Sequence, residues 1–537
     1  MSYPWWYVPY LTSPMVIAIV AIVHVLVSQY AVGGGILLAR ENRYALKKND
    51  AEYRKYWKNH ARFFVLLTVV FGSITGVGIW WTIGLASPLA TEVLIRTFVF
   101  GWAIEWVFFV LELVAAFGFY YFWDKLPKGT HIAMGWIYAL AAWISLVLIT
   151  GITSFMLNSK GLFGDWNQPE GFWFGFLNRQ FLPQTLIRTG TSLILGTVYV
   201  YMHLSWIGAN DRLREKTVRR MRVPSVFGLV FLLTGMAGWL VFLPKSSLMM
   251  LEGAATMNLF LGFSVASCLG LAALVWLGPF RAPQKMNLTT SVGMFFLVIA
   301  AIGSGEFVRE AIRKPYVVDQ VVYGNQIMVD DSRQVSMHGF LNSGVWTGLY
   351  LQNLQEKYPN LEIYTPAKIL AGDCPNATAG EPREFQPIAG QVSETSIQQV
   401  STSPPSPHEV QTAAVLNLPV EGSKRSGNED WLQMTDEDQL ALGKVIFMHH
   451  CNDCHAIDHG YSAAAPLLTG RTEAEVVQFL KHLNRPRFFM PPWCGNDVEA
   501  TLLARYLVSV RPEMPSNITG REEEPPVGNN LEQTDLQ

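Results

Sequence analysis

Eight apolar runs, at about 14–39, 63–84, 96–122, 131–156, 186–208, 225–243, 257–279 and 290–310, are each long enough to cross a bilayer as a helix. Lipid offers no hydrogen bonds, so a spanning chain must satisfy its backbone internally. The expected fold is all-α, with a polytopic membrane helix bundle of about eight spans inside residues 1–316. The first run lacks a basic segment before it and a small-residue cleavage site after it, so it reads as a span and not as a removable leader.

Lysine and arginine in the connections set the orientation. Between runs one and two lie Arg40, Arg43, Lys47, Lys48, Arg54, Lys55, Lys58 and Arg62; between runs five and six lie Arg212, Arg214, Lys216, Arg219, Arg220 and Arg222. Lys125, Lys128, Arg281 and Lys285 mark the same side, whereas Lys160, Arg179 and Lys245 are the main cations opposite. The basic side is expected in the cytoplasm of a bacterium and both termini in the periplasm.

Past Pro315 the composition changes. Residues 317–372 read as a periplasmic segment in which 339–351 is apolar enough for an interfacial helix but too short to cross. Residues 373–430 are rich in Pro, Ser, Thr, Gln and Gly. They read as a flexible linker with a reach of about 40 Å. A compact α-helical domain is expected at 431–512 and a disordered acidic tail at 513–537. With 40 Lys and Arg against 42 Asp and Glu, nucleic acid is excluded as a partner. Five cysteines are too few for a disulfide scaffold. Cys374 and Cys494 are a candidate disulfide, and Cys268 reads as a small core residue.

Cys451-Asn452-Asp453-Cys454-His455 fits the attachment pattern of a covalent haem. Two thiols three positions apart can form thioethers to both vinyl groups, and the adjacent His455 reaches the iron. A zinc or redox pair is the competing reading. Thr435 and Asp438 suggest a capped helix start upstream, leading through Gly443 and Phe447. Downstream, the run from Ala465 through Pro466 to Gly470, then Met490 in Phe489-Met490-Pro491-Pro492, and a helix at 498–510 with Tyr506 resemble class I cytochrome c. That resemblance implies that the Pro466 carbonyl orients His455 and that Met490 is the sixth ligand of a single haem c. His459 and His482 read as surface histidines, and His449 and His450 as solvent-facing.

Ionisable residues inside spans are costly and mark function. His24 sits in span 1, where an iron ligand competes with an interhelical hydrogen bond. Glu105 and Glu112 in span 3 are seven apart, about 10 Å along one helix face. Span 8 ends in Glu306, Arg309, Glu310 and Arg313, whose spacings also permit a purely structural ion network.

These residues resemble the large subunit of the cytochrome bd oxygen reductases. Phe71-Gly72-Ser73-Ile74-Thr75-Gly76, Ala103-Ile104-Glu105 followed by Leu111-Glu112, Trp123-Asp124-Lys125-Leu126 with His131 and Trp136, and Glu310-Ala311-Ile312-Arg313-Lys314-Pro315-Tyr316 carry the likeness over about 10–317. The resemblance implies that His24 and Glu310 ligate two high-spin haems, of type b or d, with Arg313 beside Glu310. It further implies that Glu105 lies at the oxygen-binding haem and Glu112 in the cytoplasmic proton path, although the family spacing there is eight.

The departures concern the electron donor. Arg188 stands where the family's quinol-side haem has a histidine, and arginine offers iron no lone pair. His203, fifteen residues on, is about 22 Å deeper and reads as interfacial. Met257 lies near the family's methionine ligand, the long quinol loop is reduced to 244–256, and the family's ninth span is absent. The expected function is a membrane-bound oxygen reductase, an oxidoreductase that takes electrons through its own haem c from a periplasmic donor such as a soluble cytochrome c. Its partners would be O2 and a possible second membrane subunit or larger respiratory complex. The alternatives are a quinol:cytochrome c oxidoreductase sending electrons outward, and a non-catalytic membrane anchor for the cytochrome c.

Overall fold

The computed structural model describes residues 6–168, 171–341, 354, 356–358, 428–485 and 489–512. Most of the 339–351 stretch, nearly all of the 373–430 linker, Cys374 and the 513–537 tail lie outside the described residues.

Helix α1 (Ser13–Lys48) runs beyond its apolar run through the cations up to Lys48. Asn49, in the left-handed region at φ 51°, ends it, and the Asp50 carboxylate accepts the Tyr53 N–H to cap α2 (Ala51–Val65). The basic connection expected here is therefore two helix ends joined by a tight turn. Bilayer thickness limits the apolar stretch, not the helix, whose hydrogen bonds continue into water. The same holds for α9 (Asp211–Val241), which carries Arg212 to Arg222 on its first turns. Through a π turn at Leu66–Phe71, α2 runs into α3 (Gly72–Ala86). Then come α4 (Pro88–Thr97), α5 (Val99–Tyr121), α6 (Lys128–Phe155), α7 (Gly171–Phe176), α8 (Phe181–Trp206), α9, α10 (Lys245–Gly253), α11 (Ala255–Val275) and α12 (Leu288–Ala311).

Among the described residues seven helices are long and apolar enough to cross a membrane, one fewer than the runs suggest. The exception is α8. Its 26 residues span about 39 Å, but Gln184, Thr185, Thr189, Ser192 and Thr197 are buried between neighbouring helices and lower its apolar character. It packs against α1, α6, α9 and α12. Gly33 of α1 and Gly196 of α8 bring these two backbones so close that a Cβ on Gly33 would lie 1.7 Å from the Ser192 carbonyl oxygen.

A second core forms around α14 (Asp436–His450), α15 (Glu473–Lys481) and α16 (Asp497–Ser509). Thr435 caps α14 by accepting the Asp438 N–H. Gly443 lets α14 cross α16 closely, a Cβ there meeting the Leu502 carbonyl oxygen at 2.3 Å.

Residues 316–341 join the two cores. The hairpin of β1 (Tyr316–Val318) and β2 (Val322–Tyr323) puts Val318, Val321 and Val322 among Leu89, Phe98, Phe155 and Phe176 of the bundle. After α13 (Ser332–His338), Phe340 and Leu341 enter the second core, where the buried Glu499 carboxylate accepts both of their N–H groups at 2.8 and 2.7 Å. The second unit also meets the entry to α1. The Asn452 amide donates to the Trp6 carbonyl at 3.1 Å, and the Tyr461 N–H to the Tyr10 carbonyl at 2.8 Å. It thus sits at the end of the bundle opposite the basic helix ends.

Candidate functional site

Helix α14 ends at Cys451, and the chain turns so that the Cys454 and His455 N–H groups both donate to the Cys451 carbonyl, at 3.0 and 2.9 Å. Cys451 and Cys454 are unpaired thiols. Burial pushes the Cys451 thiol up to about 12. Among the described residues no cluster of three or more His, Cys, Asp or Glu could hold a metal ion. His455 Nδ1 lies 2.7 Å from the Ser462 carbonyl oxygen. A carbonyl only accepts, so Nδ1 carries the proton and Nε2 keeps the lone pair that iron takes.

The orienting carbonyl therefore belongs to Ser462 and not to Pro466. The Pro466 oxygen accepts the Thr469 hydroxyl at 2.9 Å instead. A second correction concerns His450. It is buried rather than solvent-facing, its ring 4.7 Å from that of Trp493, and burial lowers its pKa to about 4. The neutral ring accepts the Cys494 N–H on Nε2 at 3.2 Å, which ties α14 to the loop after Met490. His449 is half-buried. His459 is exposed and paired with Asp458 at 2.7 Å, and His482 donates to the Gln478 carbonyl at 2.9 Å, as surface histidines do. Met490 is half-buried in its loop, and a Cβ on Gly324 would lie 3.7 Å from Pro491 Cγ and 4.0 Å from Cys454 Sγ. The methionine loop and the second cysteine thus face one point of the joining segment.

Inside the bundle, His24 Nδ1 lies 3.0 Å from Thr75 Oγ1. That hydroxyl already donates to the Phe71 carbonyl at 2.9 Å, so His24 Nδ1–H is the donor and Nε2 again keeps its lone pair. Gly76 makes room for the ring, since a Cβ there would sit 3.3 Å from His24 Cε1. The interhelical hydrogen bond and the iron-ligand readings are thus compatible. Glu105 and Glu112 share one face of α5 and both meet α6. Ser145 donates to Glu105 at 2.9 Å and Tyr138 to Glu112 at 3.0 Å. At the end of α12, Arg309 pairs with Glu306 at 2.7 Å, and Arg313, only 4% exposed, pairs with Glu310.

Arg188 lines a cavity of about 150 Å³ with Glu306, Arg309, Gln29 and Gln184. It provides a cation and no iron ligand there. Met257 is buried in the apolar cluster that also holds Trp239 and Val308.

One contact was not visible in any motif. Lys314 Nζ donates to Cys454 Sγ at 2.7 Å, which places the cysteine pair directly against the segment that follows Glu310. Phe489, next to Met490, packs against the apolar cluster of the bundle that includes Val308 and Ile312.

The described residues fit haem at both places. His455 and the two cysteines would hold a covalent haem, and His24 and Glu310 would ligate iron in the bundle. Residues 13–240 match the family described as Cytochrome bd terminal oxidase subunit I. No curated protein is significantly similar to the chain. A solved structure, the bd oxidase from Geobacillus thermodenitrificans, is similar at 17% identity over 58% of this chain and 88% of that one, with a TM-score of 0.48.

Proposed function

We propose that the chain is a cytochrome bd-like oxygen reductase of the bacterial inner membrane that draws electrons through its own haem c from a periplasmic donor. The observation that carries this reading is the contact of Lys314 with Cys454, four residues past Glu310. A haem thioether-linked to Cys454 would stand at the end of α12 that bears the Glu310 and Arg313 pair. Haems held in the bundle would supply oxygen binding and reduction. Around them, the chain's residues hold charge and protons: Arg313 neutralises Glu310, Ser145 and Tyr138 orient Glu105 and Glu112, and Glu112 takes protons arriving from the basic side.

The side assignment is supported by the position of the cysteine pair at the end of the bundle opposite the basic helix ends. Arg188 disfavours the quinol alternative, because it removes the ligand for a haem on the quinol side. The test is a reduced-minus-oxidised spectrum with carbon monoxide, combined with oxygen uptake from reduced soluble cytochrome c and from quinol. A CO-reactive high-spin haem with cytochrome c-driven uptake is expected. Uptake from quinol alone overturns the donor assignment, and a spectrum of haem c alone leaves a membrane anchor.

A further inference from the structure

We propose that the cavity around Arg188 is a binding site for a small amphipathic carboxylate, an anionic head on an apolar body of roughly six to eight carbons. α1, α8, α9, α11 and α12 line it. Its polar end is made by Gln29 of α1, by Gln184 and Arg188, one turn apart on α8, and by Glu306 and Arg309 of α12.

This end carries a charge that the protein leaves unanswered. Among the described residues that line the cavity, Arg188, Glu306 and Arg309 alone are charged. Glu306 is held by Arg309 at 2.7 Å, and Glu310, whose charge also reaches Arg309, is paired with Arg313. Arg188 enters no ion pair among the described residues and feels Glu306 and Arg309 only through space, with opposite signs. One positive charge is left over inside the bundle, where an unpaired guanidinium is expensive. A single carboxylate cancels it and matches the planar fork of the guanidinium.

The amides beside it lack partners too. Gln184 is 4% exposed, and its Nε2 finds no acceptor among the described residues; Gln29 Oε1 is buried and finds no donor. Buried amide groups left unpaired cost free energy. An amide turns about its last bond to offer either its oxygen or its NH2 group, so a carboxylate that accepts from Gln184 and Arg188 together offsets that cost.

Beyond the head the wall is apolar, with Leu232, Met236, Leu271, Val298 and Ile302. A volume of about 150 Å³ matches that of an engineered apolar cavity which takes up one benzene. It suits one ring or a short acyl chain, not the four pyrroles of a porphyrin, and no histidine is among the described lining residues. A mineral anion would answer the charge but leave the apolar wall uncovered. A fatty acid from the bilayer and an aromatic acid from the water share the chemistry that fits both ends.

The test is calorimetric titration of the full-length, haem-loaded protein in detergent with octanoate, for the bilayer source, and benzoate, for the aqueous one. Acetate lacks the body and benzyl alcohol lacks the charge, so each should bind at least about tenfold more weakly than the better acid. Tighter octanoate assigns the site to the bilayer source and tighter benzoate to the aqueous one. Arg188→Gln should weaken the better acid roughly 10–100-fold. Gln184→Leu should weaken it as well, while leaving the ligand-free protein at least as heat-stable as the wild type, because the orphaned amide is gone. No saturable binding of either acid overturns the proposal, and so does unchanged affinity in Arg188→Gln, whatever Gln184→Leu does. Displacement of both acids by a short-chain quinone that binds wild type and Arg188→Gln equally gives the cavity to a neutral ring and overturns it too.

Discussion

Lys314 Nζ donates to Cys454 Sγ across 2.7 Å, although 140 positions separate the two residues. Lys314 follows the Glu310 and Arg313 pair, so the cysteine that would carry a haem vinyl touches the chain segment that would ligate a second haem. With haem attached, the contacting sulfur is a thioether, a weak acceptor, and the ammonium acts chiefly as a nearby positive charge. A cation disfavours the oxidised haem. Lys314→Met should therefore lower the haem c reduction potential by about 50–100 mV, taking a unit charge at roughly 10 Å and an effective dielectric near 20. Redox titration of the α-band measures it; an unchanged potential would show that Lys314 does not face the haem.

The Thr75 hydroxyl fixes the tautomer of His24. Thr75→Val keeps the shape but removes the acceptor, and loss of such an orienting partner typically weakens iron binding about 10–100-fold. Haem content and the CO difference spectrum should fall in the valine variant and return in Thr75→Ser. Equal spectra in all three proteins would detach His24 from the iron.

Glu499 accepts the N–H groups of Phe340, Leu341 and Asn496. Truncating it leaves the two buried donors of Phe340 and Leu341 unpaired, at roughly 1–3 kcal/mol each before relaxation, and frees the half-buried Asn496 N–H. Glu499→Ala should destabilise the second unit by about 3 kcal/mol or more and expose 339–341 to protease. Thermal unfolding followed by haem c absorbance reads the first effect, and limited proteolysis the second.

Asp319 is buried in the joining segment and accepts the Ser159 N–H at 3.3 Å, and burial pushes its carboxyl up to about 6. A carboxyl with a raised folded pKa holds its proton more tightly in the native state. Its contribution to stability is full below the unfolded value near 4 and is lost as pH rises through 6. Asp319→Asn keeps an acceptor without the charge, so it should raise the melting temperature near pH 8 and leave it unchanged near pH 4. A gain of equal size at both pH values would assign the effect to something other than ionisation.

The spans were legible because lipid imposes an apolar length. Helix ends were not, since Lys48 and Arg212 continue helices that hydropathy cannot follow into water. α8 read as an ordinary span because its polar residues are scattered, whereas in the fold they meet other helices. The Ser462 carbonyl was missed in favour of Pro466 because a backbone oxygen leaves no trace in composition.

Trp6 and Tyr10 are gripped by Asn452 and Tyr461, so the stretch that enters α1 meets partners made much later, 446 positions on in the case of Trp6 and Asn452. Pairings of such sequence separation close slowly. Until then Cys454 stands clear of Lys314, and a haem attached there, as proposed, would be loaded before the second unit docks.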